Sequence, residues 1–166
     1  MNKLPFKQFG LACALSLSAL TSAMAASNDF VDEAAQGGIN EVESAKLALE
    51  KSKSTDVREF ATQMEKDHGK AHAELTALAK KLDLEVPDDA TLVAKAKKLL
   101  LEMRDESFDK SYANNQVMAH EQTVELFKKE AESSDNAELK AFAEKTLPTL
   151  QHHLEMAKQL QAKHAK

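Results

Sequence analysis

Apolar residues in this chain recur at alternating spacings of three and four positions, which is the pattern of a helix that buries one face. The clearest run contains Val57, Ala61, Met64, Ala71, Leu75, Leu78 and Leu82. Similar runs extend over residues 113–131 and 139–160. No segment shows the strict apolar and polar alternation that a half-buried strand requires. The pattern therefore predicts an all-helical chain.

Four long helices and one short helix follow from these runs and from the residues that can cap them. We expect them, in chain order, at about 29–53, 56–82, 90–104, 106–132 and 137–163, the third being the short one. Ser54, Thr55 or Asp56 opens the second helix, with Glu59 as its capping-box partner. Residues 133–136 form a tight turn before the last helix.

The spacing of the long helices predicts their connectivity. Two helical hairpins are joined by about 20 residues that themselves contain a helix, as in a four-helix bundle with one long crossover connection. Simple up-down-up-down order is the alternative, and the short helix would then fold back as a surface flap. Both arrangements give one all-α domain.

The start of the chain has the three parts of a secretory signal peptide. Lys3 and Lys7 precede an uncharged apolar run over residues 9–20, and an A-x-A signature ends at Ala25. The run is shorter than the roughly 20 residues of a spanning helix. We therefore expect cleavage after Ala25, a mature domain over 26–166 without a membrane-spanning segment, and a periplasmic or secreted location.

The charge balance changes when this leader is removed. The mature chain keeps 20 of the 22 basic side chains against 27 acidic ones, a net charge of −7, and loses the one cysteine, Cys13. An acidic surface disfavours nucleic acid as a partner. A cysteine-free domain in an oxidising compartment must be held together by packing alone. The composition indicates no particular protein partner.

On each long helix, one position of the apolar series is occupied by a side chain that could bind a metal ion. The four residues are Glu41, His68, His120 and His153. Burying such a group without a partner costs roughly 1–3 kcal/mol, so something must compensate them. In the crossover topology, at about 1.5 Å per residue, all four lie within a turn of one level.

Three imidazoles and a carboxylate at one level suit a single zinc, copper, iron or manganese ion. Asp67 is a further candidate, supporting the site from beside His68. Leu150 stands where a second E-x-x-H glutamate would precede His153, which disfavours a ferritin-type di-iron centre. The pattern thus predicts a metal site made of Glu41, Asp67 and the three histidines.

A structural polar layer is the alternative interpretation. Histidines that bond to one another, to Glu41 and to trapped water would set the register of the bundle. The protein would then be a non-catalytic module for envelope stress or interaction. No nucleophile elbow, phosphate loop or Ser/His/Asp arrangement is present in the sequence, which leaves enzymatic activity undecided.

Several motifs carry a resemblance to a known family. They are GG-x-x-E at 37–41, F-A-x-x-M-x-x-D-H at 60–68, F-D-x-x-Y and M-x-H within 108–120, and L-P-T-L-x-x-H at 147–153. In these segments the chain resembles the exported bacterial family called domain of unknown function 4142. The resemblance implies a ferritin-like helical bundle of the periplasm or envelope, without an established activity. Its motif positions fall on Glu41, Asp67, His68, His120 and His153, and residues 94–107 match it least well.

Overall fold

The computed structural model describes residues 16–101 and 108–165. Five helices make up this part of the chain: α1 (Ser16–Lys51), α2 (Thr55–Lys81), α3 (Asp89–Leu101), α4 (Phe108–Ser133) and α5 (Ala137–His164). The described ranges contain no strand, and the predicted all-α fold is confirmed.

The predicted helix boundaries agree with the observed ones within a few residues, with one exception. Helix α1 begins at Ser16, well before the expected start and within the segment predicted to be a signal peptide. Residues 1–15 of that segment lie outside the described part of the chain, as do residues 102–107 after α3. Cleavage after Ala25 and the mature domain at 26–166 stay predictions.

The caps of α2 and α5 differ in how they work. Asn136 is the N-cap of α5, and its side-chain oxygen accepts hydrogen bonds from the backbone N–H groups of Glu138 and Leu139. The N-cap of α2 is Ser54, whose hydroxyl donates to the Asp56 carboxylate instead of capping the helix. In this register the third residue after the cap is Val57, so the predicted capping box with Glu59 is wrong.

Cross-helix contacts establish the topology. Helices α1 and α4 are antiparallel, because Phe30 packs against Phe127 while Ser44 accepts a hydrogen bond from Gln116. Helices α2 and α5 are antiparallel as well, since their opposite ends meet at Asp56 and His164. Helices α1 and α2 are joined by the short turn over residues 52–54, across which Arg58 donates a hydrogen bond to the Leu49 carbonyl, so they too are antiparallel. Helices α2 and α4 therefore run parallel, and their connection travels the length of the bundle. The predicted crossover is confirmed.

Helix α3 lies on this crossover and packs against α1. Leu92 is fully buried and belongs to the same apolar cluster as Phe30 of α1 and Phe127 of α4. The Gln36 side chain also donates a hydrogen bond to the Leu92 carbonyl at 3.3 Å. The short helix thus completes the core and is not a surface flap.

The core divides into two apolar clusters, one on each side of the predicted histidine level. One cluster includes Phe30, Leu75, Phe127, Phe142 and Leu150. The other includes Val57, Phe60, Met64, Tyr112 and Leu160. On every long helix, the predicted ligand lies in sequence between the residues of the two clusters. The apolar core is therefore interrupted by a buried polar layer.

Candidate metal centre

Three buried histidines from three helices converge in this layer. His68 of α2 is 5 % exposed, and His120 of α4 and His153 of α5 are each 1 % exposed. One ring nitrogen of each lies within 4.8 Å of one from both others, and the ring centroids are 5.2–5.6 Å apart. Each replaces an apolar residue on the inward face of its helix, so burial of that face brings the imidazoles together.

The closest pair is His68 and His120, whose Nε2 atoms are 3.2 Å apart. The Nδ1 atom of His120 lies 2.8 Å from the backbone carbonyl oxygen of Gln116. A carbonyl can only accept, so Nδ1 of His120 carries the proton. In the tautomer with the proton on Nδ1, Nε2 of His120 carries a lone pair and faces Nε2 of His68.

His153 is held by a carboxylate at the edge of the layer. Its Nε2 lies 3.0 Å from Oδ2 of Asp67, and that oxygen also accepts a hydrogen bond of 2.6 Å from Gln63. Nδ1 of His153 is buried and has no hydrogen-bond partner in residues 16–101 and 108–165. A carboxylate on one ring nitrogen and a free second nitrogen is the arrangement by which proteins orient metal-binding histidines.

Burial determines the protonation of two of the imidazoles. It lowers the pKa of His68 well below its usual value, and the neighbouring His120 and His153 lower it further. Burial also lowers the pKa of His153, although Asp67 opposes the shift. Both rings are therefore neutral near neutral pH, the form that binds metal ions. Burial would raise the pKa of Asp67, but bonds from Gln63 and His153 outweigh it, and the net shift is downward.

Glu41 lies beside the histidines rather than among them. The residue is 5 % exposed, and one carboxyl oxygen, Oε2, is buried with no partner among the residues that the structure describes. Burial raises the pKa of Glu41, while the nearby His120 and a hydrogen bond with Gln116 moderate the rise. Among the described residues, the set of mutually close ligand atoms comprises the three histidines without Glu41.

The polar layer continues from Glu41 through residues that sequence reasoning missed. Tyr112 and Gln116 are each 1 % exposed, and within the part of the chain that the structure describes their Oη and Oε1 atoms have no hydrogen-bond partner. Ser44 accepts a hydrogen bond from the Gln116 amide at 3.4 Å. The sequence does indicate Gln116 as a member of the layer, because it precedes His120 by one helical turn and so lies on the same face of α4.

The spacing of the ring nitrogens is close to that of a metal site. Zinc–nitrogen bonds of about 2.0–2.1 Å in a tetrahedron place two ligand nitrogens roughly 3.3 Å apart. The His68 and His120 pair, at 3.2 Å, meets this requirement. The third histidine nitrogen, within 4.8 Å, would need a shift of roughly 1.5 Å at most. Three protein ligands also leave a fourth position for Glu41, water or another ligand.

A comparison with known protein families identifies the family of this chain. The model of the family described as domain of unknown function (DUF4142) matches residues 14–160. The chain belongs to this family. Comparisons with curated proteins and with solved structures gave no significant match. The DUF4142 match includes every residue predicted for the site, and none of the described helices is both long and apolar enough to cross a bilayer.

Proposed function

We propose that this DUF4142 protein is exported to the periplasm or envelope and binds one transition-metal ion inside its helical bundle. His68, His120 and His153 are the ligands, and Asp67 orients His153. Glu41, whose Oε2 has no hydrogen-bond partner among the described residues, is the fourth donor. The observation that carries the proposal is the convergence of three buried ring nitrogens within 4.8 Å.

The chemistry of the donors supports this function. Imidazole nitrogens suit zinc, copper and iron, and an added carboxylate extends the range to manganese. The rings need not release a proton to solvent, since His68 and His153 are neutral. A metal ion would also use Nδ1 of His153, to which no group in the described ranges forms a hydrogen bond.

Elemental analysis of the untagged protein, exported with its own leader and purified without chelators, tests the proposal. We expect about one metal ion per chain, and loss of that metal from the His120→Ala variant. A metal ion present at a hundred times its Kd should stabilise the fold by about 2.7 kcal/mol. Protein that carries no metal, and whose Tm does not rise with zinc, copper, iron or manganese, contradicts the function.

The location is tested on the same sample. Mass spectrometry of the exported chain should find Ala26 as the first residue. A chain that retains its leader, or that stays in the cytoplasm, contradicts export.

A structural polar layer is the second candidate, in a non-catalytic module for envelope stress or interaction. It is favoured by the bonds that already satisfy part of the layer, His68 to His120 and His153 to Asp67. In that role, apolar residues of similar size could replace the histidines at little cost, with no effect of metal on Tm.

A further inference from the structure

Asp67 connects the buried histidines with the surface of the bundle. Asp67 is 24 % exposed at its side chain, whereas His153, to which it bonds at 3.0 Å, is 2 % exposed. Asp67 lines a depression of about 160 Å³ between α2 and α5, together with Lys70, Ala71, Glu74, Lys145, Thr146 and Thr149. The Asp67 carboxylate, which lines this depression, is therefore in contact with both solvent and a histidine of the candidate metal centre.

The seam between α2 and α5 is suited to local opening. Pro148 lies within α5 beside the depression, and it lacks the N–H group that would bond to the carbonyl four residues before it. Across the outer part of the depression, Lys145 and Glu74 form an ion pair of 2.8 Å. Exposed ion pairs of this kind contribute little stability and break readily.

From this arrangement we infer that the depression between α2 and α5 is the route by which a divalent cation reaches the histidines, with Asp67 as its first ligand on the way in. The inference rests on the proposed metal binding. A hydrated cation exchanges water for the Asp67 carboxylate at the surface. The hydrogen bond from Nε2–H of His153 to Asp67 then breaks, and the cation passes to the unprotonated Nδ1 of His153.

Stopped-flow binding of cobalt(II), followed by its visible absorption, measures this step directly. We expect Asp67→Asn to slow association by about tenfold, because a carboxylate that attracts the cation is lost. Asp67→Glu keeps the charge and should associate within about threefold of the wild type. Circular dichroism and Tm of each variant verify that it is folded.

Glu74→Gln is the matched control. It makes the same carboxylate-to-amide change in the same depression, two helical turns from Asp67, and it breaks the ion pair with Lys145. On the proposed route its association is as fast as that of the wild type, or faster. Association slowed as much as in Asp67→Asn would indicate a general effect of surface charge and would overturn the route.

The outcomes separate the route from the function on which it rests. Wild-type protein that binds no cobalt contradicts metal binding itself. Wild-type protein that binds cobalt, together with an Asp67→Asn variant that associates equally fast and only dissociates faster, overturns the route alone. In that case Asp67 orients His153 but is not the first ligand of the entering cation.

Discussion

The Nε2 atoms of His68 and His120 lie 3.2 Å apart in the bundle interior, although 52 residues separate them in the chain. At this distance only one of the two nitrogens can carry a proton, because two N–H groups would repel. The Gln116 carbonyl holds the proton of His120 on Nδ1, so the hydrogen between the rings belongs to His68. A metal ion would take the place of this hydrogen, with His68 changing its tautomer.

Leucine substitutions measure what this pair contributes to stability. His120→Leu leaves Nε2 of His68 buried without a partner, and we expect the metal-free protein to lose about 1–3 kcal/mol of unfolding free energy. Adding His68→Leu removes the unpartnered imidazole, so the double variant should regain most of the unfolding free energy that His120→Leu loses. Urea unfolding of wild type, both single variants and the double variant gives the coupling. Additive losses would show that the two rings do not interact.

Glu41→Gln tests the cost of the buried carboxyl group. Its pKa is raised in the folded state, so the folded protein holds this proton above pH about 4.5, and stability declines as pH rises through the folded pKa. An amide of the same shape has no such dependence. The unfolding free energy of metal-free Glu41→Gln should therefore exceed that of wild type by an amount that grows with pH. We expect this difference to be about 1–3 kcal/mol at neutral pH, measured by urea unfolding at several pH values.

The same variant separates two roles of Glu41. If Glu41 donates to the metal, Glu41→Gln weakens metal affinity while it stabilises the metal-free protein. Unchanged affinity would remove Glu41 from the ligand set without affecting the three histidines.

Acid should destabilise the metal-free protein before any carboxylate pairs are lost. The pKa values of His68 and His153 are lowered in the folded state, whereas the unfolded chain takes up these protons near pH 6.5. Their contribution is fully present above about pH 6.5 and declines as pH falls below it, by up to about 1.4 kcal/mol per group and pH unit. Urea unfolding in chelator between about pH 5 and 8 checks this dependence. A flat profile would contradict neutral buried rings.

Leu92 is a fully buried side chain through which α3 packs on the core. Leu92 is 0 % exposed, and Leu92→Ala should cost about 2–5 kcal/mol through lost burial and the cavity it leaves. Met118 is 57 % exposed, so Met118→Ala serves as the control and should change stability by no more than about 0.5 kcal/mol. Equal effects of the two substitutions would mean that α3 is not part of the core.

Periodicity predicted most of the fold because it is a local property of the chain. The bounds of α2, α4 and α5 were recovered to within about two residues from apolar spacing and capping residues. The N-cap of α2 was less well predicted, since Ser54, Thr55 and Asp56 are all competent caps. The hydrogen bond from Ser54 to Asp56 decides among them, and it depends on backbone angles that the sequence pattern does not specify.

Polar interruptions of the apolar series also located the buried layer. His68, His120 and His153 were selected because each occupies a core position, and the structure brings them together. Asp67 was expected beside the site and bonds to His153. Glu41 lies near His120, Gln116 and Tyr112, and its role as a metal ligand stays a prediction.

The sequence by itself determined the helical class, the order of the helices and the level at which polar residues interrupt the core, because these depend on spacing along one helix. Only the tertiary structure decided that α2 and α4 run parallel and that Asp67 bonds to Nε2 of His153. It also decided that the cluster of mutually close ligand atoms, among the described residues, contains the three histidines without Glu41. Those relationships depend on how each helix is rotated about its axis and which rotamers its neighbours allow. Both are set by packing between residues that are 50 or more positions apart.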